Sequence, residues 1–210
     1  MMTPIESPFP PLLLRNADNL LGAPGEALKT SPLAGDGSDR RFFRLRKGSC
    51  RAVGIWAPRR KVEGVDENDS YFLIGQHLFR RGLPVPRFLW ADPSQGLFLM
   101  EDVGDVHLQR LAVGHRNSLR ALYGHSVRLL ARLHERATDG FEPGFCFDVP
   151  IYDPPFVLER ELEYFRKSFL NDLLGLNVSA DDDLRMDFEK LSERAGVWDH
   201  NHVMHRDFQS

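Results

Sequence analysis

The chain has 210 residues, 42% of them hydrophobic and 27% charged, and its 27 Lys and Arg against 30 Asp and Glu leave a formal charge of −3. That is the balance of an ordinary globular domain, and it argues against an extended nucleic-acid surface, which needs a basic excess. No apolar run approaches the roughly 20 residues a membrane helix needs, and two cysteines are too few for a disulfide framework and fit a reducing, cytoplasmic setting.

The opening MMTPIESPFPPLLLRN lacks the basic region of a secretory signal. Residues 8–22 place leucines at helical spacing and predict a short amphipathic helix. A strand is expected over 26–34, followed by the turn-rich GDGSDRR. RFFRLRKG (41–48) and SCRAVGIWA (49–57) predict two strands joined at Lys47-Gly48, and 58–66 reads as exposed loop. Residues 67–82 predict a helix stopped at Gly82. Strands are expected over 87–92 and 96–102, so the first half is an antiparallel sheet with one helix. After Val103-Gly104 the pattern turns helical, with helices expected over 105–112, 116–138, 155–171 and 181–195 and a Pro/Gly-rich loop over 140–155. The change of character near residue 103 marks the expected domain break.

Three stretches can carry chemistry. Gly35-Asp36-Gly37-Ser38-Asp39-Arg40 matches the first two glycines of G-x-G-x-x-G, with Arg40 in place of the third. Small residues let backbone N–H groups approach phosphate oxygens, and Ser38 adds a hydroxyl; the same residues also make an ordinary turn. Leu97 to Asp105, LFLMEDVGD, is an apolar strand ending in an acidic connector. It is either a plain linker or a hinge whose main chain pairs with an adenine edge. His205-Arg206-Asp207 closes a helical stretch. Its carboxylate can accept a hydroxyl proton, or it can serve as a helix cap or a surface ion pair.

The order of these stretches, with LLARLHE and LERELEYFRKSFL between them, resembles the aminoglycoside phosphotransferase family of small-molecule kinases. Within it the closest likeness is to the N-acetylmuramate and N-acetylglucosamine kinases of cell-wall recycling. The resemblance implies an α+β, protein-kinase-like two-lobed fold, with a complete nucleotide-binding lobe at 1–103 and an incomplete helical lobe at 104–210. It implies ATP and Mg²⁺ as cofactors and a small-molecule hydroxyl, expected to be a sugar or amino sugar, as acceptor, with no nucleic-acid or membrane partner. Asp207 matches the catalytic aspartate, with His205 and Arg206 holding its loop. Glu101 and Val103 match adenine-contacting hinge positions, and Met100 lines the pocket. Gly35, Gly37 and Ser38 match the phosphate-covering loop, and Glu67 the glutamate that braces the phosphate site.

Two departures accompany the resemblance. The lysine of V-A-I-K is expected near Val53-Gly54-Ile55-Trp56, and Trp56 stands in its place; Arg44 or Arg51 could substitute. In H-R-D-x-x-x-x-N the asparagine falls two positions past Ser210, and the magnesium-binding aspartate later still. The expectation is therefore a fragment without metal ligands, showing no measurable turnover alone and exposing apolar surface. Other readings remain. A binding module could grip nucleotide without catalysis. The polar run from Asp199 to Asp207 could bind a metal, though its spacings match no defined zinc motif. Asp153, Glu159, Glu161 and Glu163 could attract a cationic aminoglycoside or belong to a solvated helix face.

Overall fold

Alternating side chains give a strand two faces, and a sheet held between helices buries both of them. The computed structural model describes residues 9–34, 39–60, 63–114, 119–179, 184–196 and 202–208. Its strands are β1 (Lys29–Pro32), β2 (Arg41–Lys47), β3 (Cys50–Trp56), β4 (Phe88–Asp92) and β5 (Leu97–Glu101). They form one antiparallel sheet in the order β1-β2-β3-β5-β4. Arg41 pairs with Trp56 and Lys47 with Cys50, leaving Gly48 and Ser49 as the turn. Gly48 has φ 56°, the left-handed value that tight hairpin turns demand.

Leu45, Ala52, Leu97 and Leu99 form one apolar face, covered by Leu13, Ala17 and Leu21 at helix α1 (Pro11–Leu20). Lys47 ties α1 down, its Nζ lying 2.8 Å from both the carbonyl and the carboxylate of Asp18. Ile55, Phe98 and Met100 form the opposite face, packed against Tyr71 and Phe72 of helix α2 (Glu67–Arg80).

The first turn of α2 is fixed by its own sequence and by β3. The Asp66 carboxylate accepts the Asn68 N–H and the Asp69 carboxylate accepts the Asp66 N–H, both at 2.9 Å, a reciprocal cap. Asn68 then donates its side-chain amide to the Ala57 carbonyl at 2.8 Å, just past the end of β3. The Ala57 N–H donates in turn to the Gly96 carbonyl at 2.8 Å. At Gly96 φ is 65°, and a β-carbon would fall 1.7 Å from the Ala57 oxygen, so only glycine fits this junction. The junction sets where Glu67 stands relative to the sheet.

The chain divides into two compact units, Met1–Phe147 with Val203–Ser210, and Asp148–His202. The change of character at residue 103 therefore lies inside the first unit. That unit also contains α3 (Leu108–Gly114) and α4 (Leu119–Ala137). His77 Nε2 hydrogen-bonds the Ala137 carbonyl at 2.6 Å, joining α2 to the end of α4. Leu83, Leu133 and Ala137 form a small core with Val203 against it, and the Val203 N–H donates to Thr138 Oγ1 at 3.1 Å. The segment leading to His205-Arg206-Asp207 is thereby anchored to the sheet-bearing unit.

In the second unit α5 (Pro154–Phe156) is capped by the Asp153 carboxylate, which accepts the Phe156 N–H at 2.9 Å. It continues as wide π-type turns over Val157–Leu162 and Phe165–Leu173, where a regular α-helix was expected. Helix α6 (Leu184–Gly196) buries Phe188 and Ser192. Among the described residues, the protein is thus a five-stranded antiparallel sheet with six helices, none of them long and apolar enough to cross a membrane.

Candidate functional site

The connector after β5 is built around a buried cation. Arg44 on β2 is only 8% exposed. Its Nε and Nη2 donate to the two Asp102 oxygens at 2.8 and 3.2 Å. Its Nη1 and Nη2 donate to the two Asp105 oxygens at 2.7 Å each. Paired carboxylates around one planar guanidinium hold the chain from Asp102 to Asp105 against the sheet. The hydrogen bond to Asp105, then that to Asp102, raises the Arg44 pKa further above its ordinary value. Burial pushes the Asp102 carboxyl up, but the Gly104 N–H and the Arg44 guanidinium outweigh it and leave it below the usual range. The Arg44 hydrogen bonds hold Asp105 low as well.

This locked connector presents the expected hinge residues. Met100 is buried on the α2 face, with the Tyr71 hydroxyl 3.1 Å from its sulfur. Glu101 ends β5, its N–H donating to the Arg87 carbonyl at 2.9 Å and its side chain exposed. The Gly104 N–H is taken by Asp102 Oδ1 at 2.9 Å. Val103 is exposed, and among the described residues its main chain has no hydrogen-bond partner. A planar ligand edge offering a donor and an acceptor fits such a strand end.

At the other end of the same sheet face lies a charged hollow bordered by Arg40, Arg60, Glu67 and Asn68. Arg40 Nη2 donates to Glu67 Oε1 at 2.6 Å, and its guanidinium lies 4.8 Å from the Tyr71 ring centre. Arg60 pairs with Asp39 beside it.

The cation expected on β3 is not there, and the alternation of the strand says why. Trp56 packs with the α1-face cluster and stacks under Arg41 at 4.9 Å. Its position therefore points away from Glu67 and α2, whereas Val53 and Ile55 face α2. Arg44 does not substitute either, because Asp102 and Asp105 occupy it. Arg51 is a distant third partner of Asp102 at 3.7 Å.

In the closing motif His205 stands edge-on to Phe208 with ring centres 5.5 Å apart. Arg206 has φ 64°, a left-handed conformation that costs a non-glycine residue of order 1 kcal/mol and is concentrated at functional sites. The Asp207 N–H folds back on the His205 carbonyl at 2.8 Å, and the Asp207 side chain is exposed to solvent. Gly35, Gly37 and Ser38 lie outside the described residues, as do Asp199 to Asn201 of the polar run. Among the described residues no group of three or more His, Cys, Asp or Glu side chains is gathered to hold a metal ion.

Sequence reasoning picked out Met100, Glu101, Val103 and Glu67 and missed the groups that hold them, Arg40, Tyr71, Asp102 and Asp105. The motif LFLMEDVGD contained both aspartates, but nothing local says that an arginine 58 positions earlier closes on Asp102. The model of the phosphotransferase enzyme family matches residues 29–210, which takes in the sheet, the connector and the closing motif. No curated protein matches the sequence.

Proposed function

The chain belongs to the phosphotransferase enzyme family, and from that premise we propose that it serves as a small-molecule kinase acting on a hydroxyl of a sugar or amino sugar. The acceptors we favour are N-acetylmuramate and N-acetylglucosamine. Residues 1–103 make the nucleotide-binding lobe in this reading, and 104–210 belong to the helical lobe. ATP, when bound, supplies the γ-phosphoryl group.

The protein's own residues do the positioning. The main chain of Glu101 and Val103 takes the adenine edge beside Met100, on a connector made rigid by Arg44, Asp102 and Asp105. Gly35, Gly37 and Ser38 cover the phosphates with backbone and hydroxyl donors. The Asp207 carboxylate accepts the proton of the acceptor hydroxyl, and His205 and the left-handed Arg206 hold it in place. The described residues do not gather a magnesium-binding group, and no role is assigned to them there.

The observation that carries the reading is the Val103 main chain, unpartnered among the described residues and set on a strand end fixed by two carboxylates on one buried arginine. Thermal unfolding with ATP and with adenosine tests it, because a ligand that binds only the folded state raises the melting temperature. Both are expected to protect. Titration with N-acetylmuramate, N-acetylglucosamine and an aminoglycoside then ranks the acceptors, with the acetylated sugars expected first. No protection by either nucleotide contradicts the reading.

A further inference from the structure

We propose that Arg40 is the cation that grips the nucleotide phosphates, set by Glu67 and Tyr71 in the role a β3 lysine plays in other kinases. This rests on the nucleotide reading given above. In kinases of the common pattern a strand lysine is aligned by a helix glutamate, and the pair must be in place for phosphoryl transfer. Here the glutamate is Glu67, the first residue of α2, and β3 sends no cation toward it. The partner it has is Arg40, at 2.6 Å.

Three features make Arg40 more than a surface ion pair. It stands immediately before β2. Its guanidinium lies over Tyr71, so it points to the same sheet face as Met100 and Phe98. It is also four residues from Arg44, a run of about 13 Å along a strand at roughly 3.3 Å per residue. A nucleotide whose base sits at the Arg44-locked connector therefore extends its phosphates toward Arg40 if it follows β2. Glu67 and the Tyr71 ring fix the plane of the guanidinium in advance, and a planar guanidinium held in place recognises phosphate oxygens two at a time. Glu67 itself is braced by the Asp66–Asp69 cap and by Asn68 on Ala57.

The test is isothermal titration calorimetry with ATP and with adenosine, at fixed ionic strength, on the 210-residue chain and on Arg40→Gln, Arg40→Lys and Glu67→Gln. Arg40→Gln is expected to weaken ATP roughly tenfold to a hundredfold, the loss of a charged hydrogen-bonding group. It should leave adenosine unchanged. Arg40→Lys should recover part of the loss. Glu67→Gln, which keeps the cation but loosens it, should weaken ATP a few-fold and again spare adenosine. If Arg40→Gln does not fold, Glu67→Gln decides: a loss confined to ATP supports the assignment, and no loss or an equal loss for both ligands overturns it. Wild-type binding of both ligands with Arg40→Gln indistinguishable for ATP overturns the role of Arg40 while leaving the nucleotide site standing. Failure of the wild-type chain to bind either ligand overturns both readings.

Discussion

Arg40 and Arg44 lie four residues apart on the α2-facing side of the same strand and its lead-in, and both are held by carboxylates, yet their surroundings differ. Arg44 is closed in by Asp102, whose side chain is 1% exposed, and by Asp105. Arg40 meets Glu67, whose side chain is 43% exposed, at the rim of a charged hollow. A buried guanidinium whose donors are taken up by two carboxylates is an anchor: it fixes the connector and contributes nothing to a ligand. Arg40 is oriented by the Glu67 carboxylate and the Tyr71 ring at the border of that hollow. The same residue type thus sits in a clamp of two carboxylates at one end and at the border of a charged hollow at the other.

The largest expected contrast is in stability. Asp102→Ala leaves the Arg44 charge buried with only an exposed partner and should cost about 3 kcal/mol in urea denaturation. Arg40→Gln should cost less, about 1 kcal/mol, because its part-buried pair with Glu67 leaves the carboxylate in contact with solvent. Equal losses would erase the distinction. A smaller effect is expected with acid. The carboxyls of Asp102 and Asp105 sit below their unfolded value of about 3.9. Their stabilisation is fully present above that value and is lost as pH falls through the lowered folded values. The melting temperature should therefore drop on acidification below about pH 4, and Asp102→Asn should flatten the drop. The smallest effect concerns salt. At about 1 M the screening length is near 3 Å, so the melting-temperature difference between wild type and Glu67→Gln should vanish, while that for Asp102→Asn should persist.

The sheet was readable because its residues alternate: RFFRLRK and CRAVGIW are strands in the register their hairpin turn dictates. The helix starting at Glu67 was readable from Gly82 after it, whereas its reciprocal Asp66–Asp69 cap was not picked out. What was not readable is long-range. Trp56 seemed to occupy a lysine position only while the phase of β3 was unknown; once Val53 and Ile55 face α2, Trp56 faces α1. Arg40 was read as a missing glycine, and its partner lies 27 residues on, beyond any local pattern. The wide turns of Phe165–Leu173 have no composition signal either, since the same residues would suit an α-helix.

Hydrogen–deuterium exchange with and without ATP tests the account most directly. Protection is expected in two separate patches, the connector around Val103 and Gly104, and the segment from Arg40 into β2 together with the first turn of α2. In Arg40→Gln the connector should remain protected while the second patch loses its response. Protection confined to Asp148–His202, or none at the connector, would contradict it.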